Sequence, residues 1–205
     1  MTDVGARSVD ALIAWFRRRM PMSASEEALA RECCRGRSAT KGTMLQRSGE
    51  VATHGYFVVK GLIRRYSIDD KGREHTLRFA PEDGWITDFE SLRDRTPASA
   101  FIETLEDCEL AVIDAPSHER LIAGIAGYAA AFAHGLLKMS EARERRLLDS
   151  MSATAEERYL NFLETYAAIA QRIPQHMLAS YLGMTPETLS RVRNQLAKKR
   201  RGATR

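Results

Sequence analysis

Apolar positions along this chain change period twice, and each change marks a different kind of element. The first residues carry helical spacing. Leu12, Ile13 and Phe16 share a face of a segment that Ser8 can cap and Pro21 stops, which predicts a helix over residues 9–20. Ser23-Ala24-Ser25-Glu26 then reads as a capping box opening a second helix to about Cys34. From about Ser38 to Ala115 the pattern becomes one of short strands separated by turns. Residues 55–66 are rich in Tyr, Phe, Val and Ile, with a tight turn at Lys60-Gly61. Residues 66–68 and 75–79 flank Asp69-Asp70-Lys71-Gly72, a hairpin signal, and residues 100–104 and 109–113 alternate around Glu106-Asp107. Short strands at this spacing predict an antiparallel sandwich or barrel.

Helical spacing returns at Pro116-Ser117 and persists to about Ser150. Leu121, Ile125, Tyr128, Phe132, Leu136 and Met139 recur every four and three residues, as in a coiled-coil seam. One helix of about 35 residues, roughly 50 Å long, is more than a small barrel can cover. It pairs with its twin in a dimer, folds back over the barrel as a core helix, or does both at its two ends; Gly124, Gly127 and Gly135 would permit close approach. A further helix begins at Thr154-Ala155-Glu156-Glu157 and runs to about Gln171, burying Tyr159, Leu160, Phe162, Leu163 and Tyr166.

The last periodic segment carries the functional signal. Pro174 suits a helix's first turn. Leu178 and Leu182 form an apolar stripe, Ala179 is small enough for another helix to cross, and Gly183 supplies the left-handed stop. Thr185 then caps a second helix, with Pro186 in its first position and Glu187 at its positive end. Leu189, Val192 and Leu196 face inward, while Glu187, Arg191, Ser190 and Asn194 lie on the other side. A helix with a buried stripe and such a face can lie in a major groove. Arg191 suits guanine O6/N7 and Glu187 suits cytosine N4, with Ser190 and Asn194 beside them as base readers. Thr185, Thr188, Arg193, Lys198, Lys199, Arg200 and Arg201 would meet phosphates, which adds affinity without reading sequence.

Charge agrees with that placement. The net charge of the 205 residues is only +4, but residues 138–205 hold 13 Lys/Arg against 7 Asp/Glu, and the preceding residues hold 18 against 20. A basic end on a near-neutral body is the footprint of nucleic-acid binding. The apolar fraction of 44% is ordinary for a globular protein, and no apolar run approaches the length of a membrane span. The short apolar stretch at residues 11–16 leads into Arg17-Arg18-Arg19 and lacks a signal-peptide pattern, so the expected location is the cytoplasm, with no membrane partner. Cys33 and Cys34 are adjacent and Cys108 stands apart, a spacing that makes neither a disulfide framework nor a metal site; whether these thiols sense redox state stays open.

The segment Thr185-Pro186-Glu187-Thr188-Leu189-Ser190-Arg191 resembles the recognition helix of the Crp/Fnr family of bacterial regulators, which typically reads Thr/Ser-x-Glu-Thr-Val-Ser-Arg. Two leading helices, a β-rich domain, a long helix and a helix-turn-helix match that family's order over nearly the whole chain. The resemblance implies an α+β protein with three parts. Residues 1–115 would form a cyclic-nucleotide-binding-like jelly-roll barrel with leading helices, residues 116–151 a dimerisation helix, and residues 152–205 a winged-helix-like helix-turn-helix domain without a C-terminal wing. It implies a homodimeric transcription regulator on palindromic double-stranded DNA, meeting RNA polymerase if it activates. The family's base-reading Glu and Arg correspond to Glu187 and Arg191.

The resemblance also marks a ligand region and a departure within it. Relatives that bind cyclic AMP carry Gly-Glu-Leu and then Arg-Ser/Thr-Ala, the Glu holding ribose and the Arg phosphate. Here Gly84-Trp85-Ile86-Thr87-Asp88-Phe89-Glu90-Ser91 and Pro97-Ala98-Ser99-Ala100 stand in those places. Ala98 replaces the arginine, so cyclic AMP would lack its bidentate partner. No cofactor is expected. Trp85, Asp88, Glu90, Ser99 and Ala100 are the candidate effector pocket, although Trp85 and Phe89 also read simply as barrel core. The four spaced cysteines of the family's oxygen sensors are missing, Pro186 replaces a basic side chain often found after the cap, and no spacing singles out His54, His75 or His134 as a haem ligand. No Gly-x-Ser-x-Gly, P-loop or His-Glu-x-x-His occurs, which predicts a non-enzyme. The alternative function is a ligand-binding signalling module acting through protein partners.

Overall fold

The computed structural model describes residues 3–203, with side chains described for residues 4–199. Two helices, α1 (Asp3–Arg17) and α2 (Ala24–Cys33), lead into eight strands: β1 (Arg35–Ala39), β2 (Met44–Gln46), β3 (His54–Lys60), β4 (Ile63–Ile68), β5 (Glu74–Ala80), β6 (Trp85–Ile86), β7 (Phe101–Thr104) and β8 (Cys108–Asp114). A short helix, α3 (Phe89–Asp94), interrupts them, and α4 (Ala115–Gly124), α5 (Tyr128–Ser152), α6 (Ala155–Tyr166), α7 (Gln175–Tyr181) and α8 (Pro186–Ala203) follow. The chain divides into two compact units between residues 137 and 138, within α5, and residues 69–76 group with the second.

The strands form two four-stranded sheets, ordered β1-β8-β3-β6 and β2-β7-β4-β5. The expected barrel is therefore an open roll of two sheets rather than a closed cylinder. Gly61 is the reason at one corner. Its φ of +103° turns the chain from β3 in one sheet to β4 in the other, and a Cβ there would lie 2.6 Å from the Cys108 sulfur. Between the sheets, Tyr56, Val58, Leu110 and Val112 from one meet Ile63 and Ile102 from the other. Alternation sends Phe57 and Ala111 to the opposite face, where they join Leu12, Ile13 and Phe16 of α1. The hairpin at residues 69–72 forms as its sequence predicts, with Gly72 at φ +75° and Asp69 holding the turn through its backbone and side chain.

Three boundaries differ from the periodicity. Helix α1 starts before Ser8, so Ser8 is a buried mid-helix residue and not a cap. Gly5 and Gly36 explain the extension, because a Cβ on Gly36 would lie 2.2 Å from the Gly5 carbonyl oxygen, and two bare backbones let α1 close on β1. Helix α3 begins where Asp88 accepts from the Ser91 N–H and is too short for periodicity to reveal. The single helix expected over residues 116–150 is two, broken at residues 125–127. Glu26 accepts the Ala126 N–H at 3.0 Å, and a Cβ on Gly124 would collide with Leu29, so close packing on α2 outweighs helical continuity. Leu121, Ile125 and Tyr128 belong to the α1 core, whereas Leu137, Leu147, Leu148 and Met151 further along α5 are exposed. Among the described residues no helix is long and apolar enough to cross a membrane, and no group of three or more His, Cys, Asp or Glu side chains is placed to hold a metal ion.

Candidate nucleic-acid interface

The helix pair α7–α8 is built around one turn. Leu178 and Ala179 bury the inner face of α7. After Leu182 the chain enters the left-handed region at Gly183, φ +64°. The Gly183 N–H donates to the Ser180 carbonyl (3.1 Å) and the Met184 N–H to the Ala179 carbonyl (3.0 Å), which is a Schellman ending. Arg158 of α6 completes it, its Nη1 donating to the carbonyl oxygens of Leu182 at 3.0 Å and Gly183 at 3.3 Å. Thr185 Oγ1 accepts from the Thr188 N–H (3.2 Å), so α8 begins at Pro186 as its sequence predicts. Gln175 Nε2 ties the start of α7 to the Pro186 carbonyl (2.8 Å). Neither Arg158 nor Gln175 carries a sequence signal for this role, since each partner is more than ten residues away.

Helix α8 turns its predicted face outward. Leu189 and Val192 are buried, while Glu187, Arg191, Asn194 and Lys198 are exposed. At about 100° per residue these four fall within one narrow arc. Ser190 and Thr188 flank it, half-buried. Arg191 Nη2 donates to Thr188 Oγ1 (3.2 Å), which steadies the guanidinium. The Glu187 carboxyl is held below the usual carboxylate range by its own backbone N–H and by the Thr185 hydroxyl. It therefore stays an acceptor at neutral pH.

Not every basic residue faces the same way. Arg193 flanks the arc of Leu189, Val192 and Leu196, and its guanidinium is turned into the domain. Its Nε donates to the Tyr159 hydroxyl (3.1 Å), with the ring centroid 5.4 Å away, and its Nη2 is buried without a partner. The expected phosphate contact from Arg193 is thus corrected: periodicity puts residue 193 on the buried side. Lys199 is exposed but paired with Glu156 Oε1 at 2.6 Å. The side chains of Arg200 and Arg201 lie outside the described residues.

Of the candidate effector residues, Asp88 and Ser99 meet, the Ser99 N–H donating to Asp88 Oδ2 at 3.3 Å, whereas Trp85 and Glu90 lie apart from them. Trp85 packs against Trp15 and Phe57 on the α1 face, with centroids 6.1 and 5.3 Å away, because Ile86 takes the inward position of this two-residue strand. Phe89 packs against Phe132 of α5 (5.3 Å), outside the roll's core. Glu90 and Ser99 are exposed, and Ala98 and Ala100 are buried. Asp88 is buried and forms an ion pair with Arg65 at 2.8 Å.

Comparison with known proteins agrees with this architecture. Residues 36–124 match the cyclic nucleotide-binding domain family. No curated protein matches the chain by sequence. The structure is similar to FixK2 from Bradyrhizobium japonicum (22% identity, 81% of this chain and 85% of that one, TM-score 0.72). It is also similar to the c-di-GMP responsive global regulator CLP from Xanthomonas campestris (18%, 86% and 93%, TM-score 0.67). The catabolite activator protein of Thermus thermophilus aligns at 25% identity over 87% of this chain and 85% of its own, with a TM-score of 0.54. Residues 36–124 are thus a domain of the cyclic nucleotide-binding type, and the chain has the fold of the Crp/Fnr transcription regulators.

Proposed function

We propose that the protein is a sequence-specific DNA-binding transcription regulator, in which α8 enters the major groove. The observation that carries this reading is the outward arc of Glu187, Arg191, Asn194 and Lys198 on a helix fixed by the Thr185 cap and the Schellman turn. In this reading Arg191 and Glu187 read base edges, Ser190 and Asn194 assist, and Thr185, Thr188, Lys198, Lys199, Arg200 and Arg201 supply phosphate contacts.

The protein works as a homodimer through α5. The exposed Leu147 and Met151 lie four residues apart, as a helix-pairing surface requires, at 61% and 76% exposure. Two copies would read half-sites of a palindromic operator about one helical turn apart, in the cytoplasm, and RNA polymerase would be a partner if the protein activates. Cyclic AMP is not its effector in the usual manner, since Ala98 offers the phosphate no charge, and no enzymatic activity is assigned.

A gel-shift titration against the DNA upstream of the chain's own gene, repeated across salt concentrations, tests this. The expected result is a sequence-selective shift whose affinity falls steeply with salt. A chain that shifts no DNA at any salt would instead be a signalling module acting on protein partners.

A further inference from the structure

We propose that Asp88 is a built-in anion of the roll, which closes the candidate effector region without a small molecule. Asp88 is 4% exposed. Its Oδ2 accepts from Arg65 Nη2 at 2.8 Å and from the Ser99 N–H at 3.3 Å, and its Oδ1 accepts from the Ser91 N–H at 3.4 Å. One carboxylate therefore joins β4, the start of α3 and the segment at residues 97–100. Arg65 shares the inward face of β4 with Ile63, two residues away, so its charge enters the roll and meets this acid there.

Apart from Arg65 Nε, which is buried without a partner, the polar groups around that carboxylate are also spent within the chain. The Ala98 carbonyl accepts from the Gly49 N–H (2.8 Å) and Ser48 Oγ (3.3 Å), and the Ala98 N–H donates to the Glu50 carbonyl (2.9 Å). Ser91 Oγ accepts from the Ala52 N–H (2.8 Å) and donates to the Thr96 carbonyl. A small anion arriving here would need a cation and free N–H groups. Arg65 and the Ser99 N–H, which would serve it, already hold Asp88. A buried carboxylate needs such partners as much as they need it, because either charge left alone in the interior is strongly disfavoured. The region behaves as an occupied anion site whose occupant is covalently part of the chain.

Thermal melting of the full chain tests this without reference to DNA. Asp88→Ala removes the anion and leaves Arg65 unpaired, so its melting temperature drops by several degrees. Added acetate or phosphate then raises it toward that of the wild type, and neither salt moves the wild type. Asp88→Asn keeps the shape but not the charge; it also melts lower, and acetate does not rescue it, because the amide fills the space. Arg65→Met placed in the Asp88→Ala background removes the rescue. The proposal falls if Asp88→Ala melts like the wild type, if acetate or phosphate raises both equally, or if cyclic AMP raises the melting temperature of the wild type.

The consequence for DNA rests on the regulator reading above: the wild type shifts its operator with no added effector. A shift that appears only with a cyclic nucleotide would overturn the built-in anion and leave the regulator intact. Absence of any shift would overturn the regulator reading, and the melting results would still decide the role of Asp88.

Discussion

Arg158 donates through one nitrogen to the carbonyl of Leu182, 3.0 Å away across 24 residues of sequence. The same nitrogen reaches Gly183, so α6 holds the turn that sets the angle between α7 and α8. Helix ends leave their last carbonyls unsatisfied, and a cation there also complements the negative end of the helix. The turn residues and the start of α8 are therefore positioned by a side chain from α6.

Arg158→Ala should leave those carbonyls to water and cost about 1–3 kcal/mol of stability. Urea melts would measure that loss. Gel shifts should show selective loss, with operator affinity falling more than affinity for random DNA, because random binding tolerates a displaced recognition helix. Equal loss on both would mean that the side chain supports only the fold.

Arg191 and Lys198 share a face but should fail differently. Arg191→Ala is expected to cost about 1–3 kcal/mol on the operator and relax preference at one base position. Lys198→Ala should weaken all sequences alike and reduce the salt slope by about 1. Binding to a set of single-base operator variants across salt separates the two. If Arg191→Ala lost affinity equally for operator and random DNA, its base-reading role would be wrong.

Arg193 should behave as a core residue despite its charge. Its Nε is bonded to Tyr159 and its guanidinium lies against that ring. Arg193→Met should lower stability by about 1–3 kcal/mol through the Tyr159 hydroxyl it leaves behind. The salt slope of DNA binding should stay at the wild-type value. A slope reduced as in Lys198→Ala would show that Arg193 swings out to a phosphate.

How much of this was legible in the sequence follows from the range of each interaction. The cap at Thr185, the stop at Gly183 and the outward arc of α8 depend on neighbours within a turn or two, and the residue pattern records them. Arg193 carries the charge of a phosphate contact, but its helical position lies beside the buried arc of Leu189 and Val192 rather than with Glu187 and Arg191. Trp85 reads both as barrel core and as a pocket residue, and a strand of two residues has too little alternation to show which face it takes. The break at residues 125–127 and the Asp88–Arg65 pair were hidden for a different reason: Glu26 and Arg65 lie 100 and 23 residues from their partners, and no local period encodes such meetings.

The cysteines should be inert in the folded chain. Burial pushes the Cys34 thiol up to about 12 and the Cys108 thiol up to about 11. At pH 8 roughly one Cys34 in ten thousand would then be thiolate, the form that reacts. Alkylation at that pH should be slow until denaturant is added, and fast labelling of the folded chain would revive a redox role. Because the folded values are raised, their contribution to stability is whole below about 9, where a free thiol ionises, and is lost as pH rises toward 11 and 12. Melting temperature measured over that range should fall more for the wild type than for Cys34→Ala.

The exposed side chains of α5 give the sharpest test of assembly. Leu147 and Leu148 are 61% and 57% exposed, and Met151 follows one turn on at 76%. Burying a large apolar side chain is worth about 1.5–3 kcal/mol, so two copies of these residues could supply much of a modest dimer's stability. Leu147→Glu combined with Met151→Glu places like charges on the same stripe of both helices. Light scattering should report a dimer for the wild type and a monomer for the variant. The variant should melt lower than the wild type and lose the wild type's dependence of melting temperature on protein concentration, because association no longer stabilises the folded chain. Operator affinity should fall by orders of magnitude in the variant, since one recognition helix then binds one half-site alone. A variant that stays dimeric would move the interface off this face of α5.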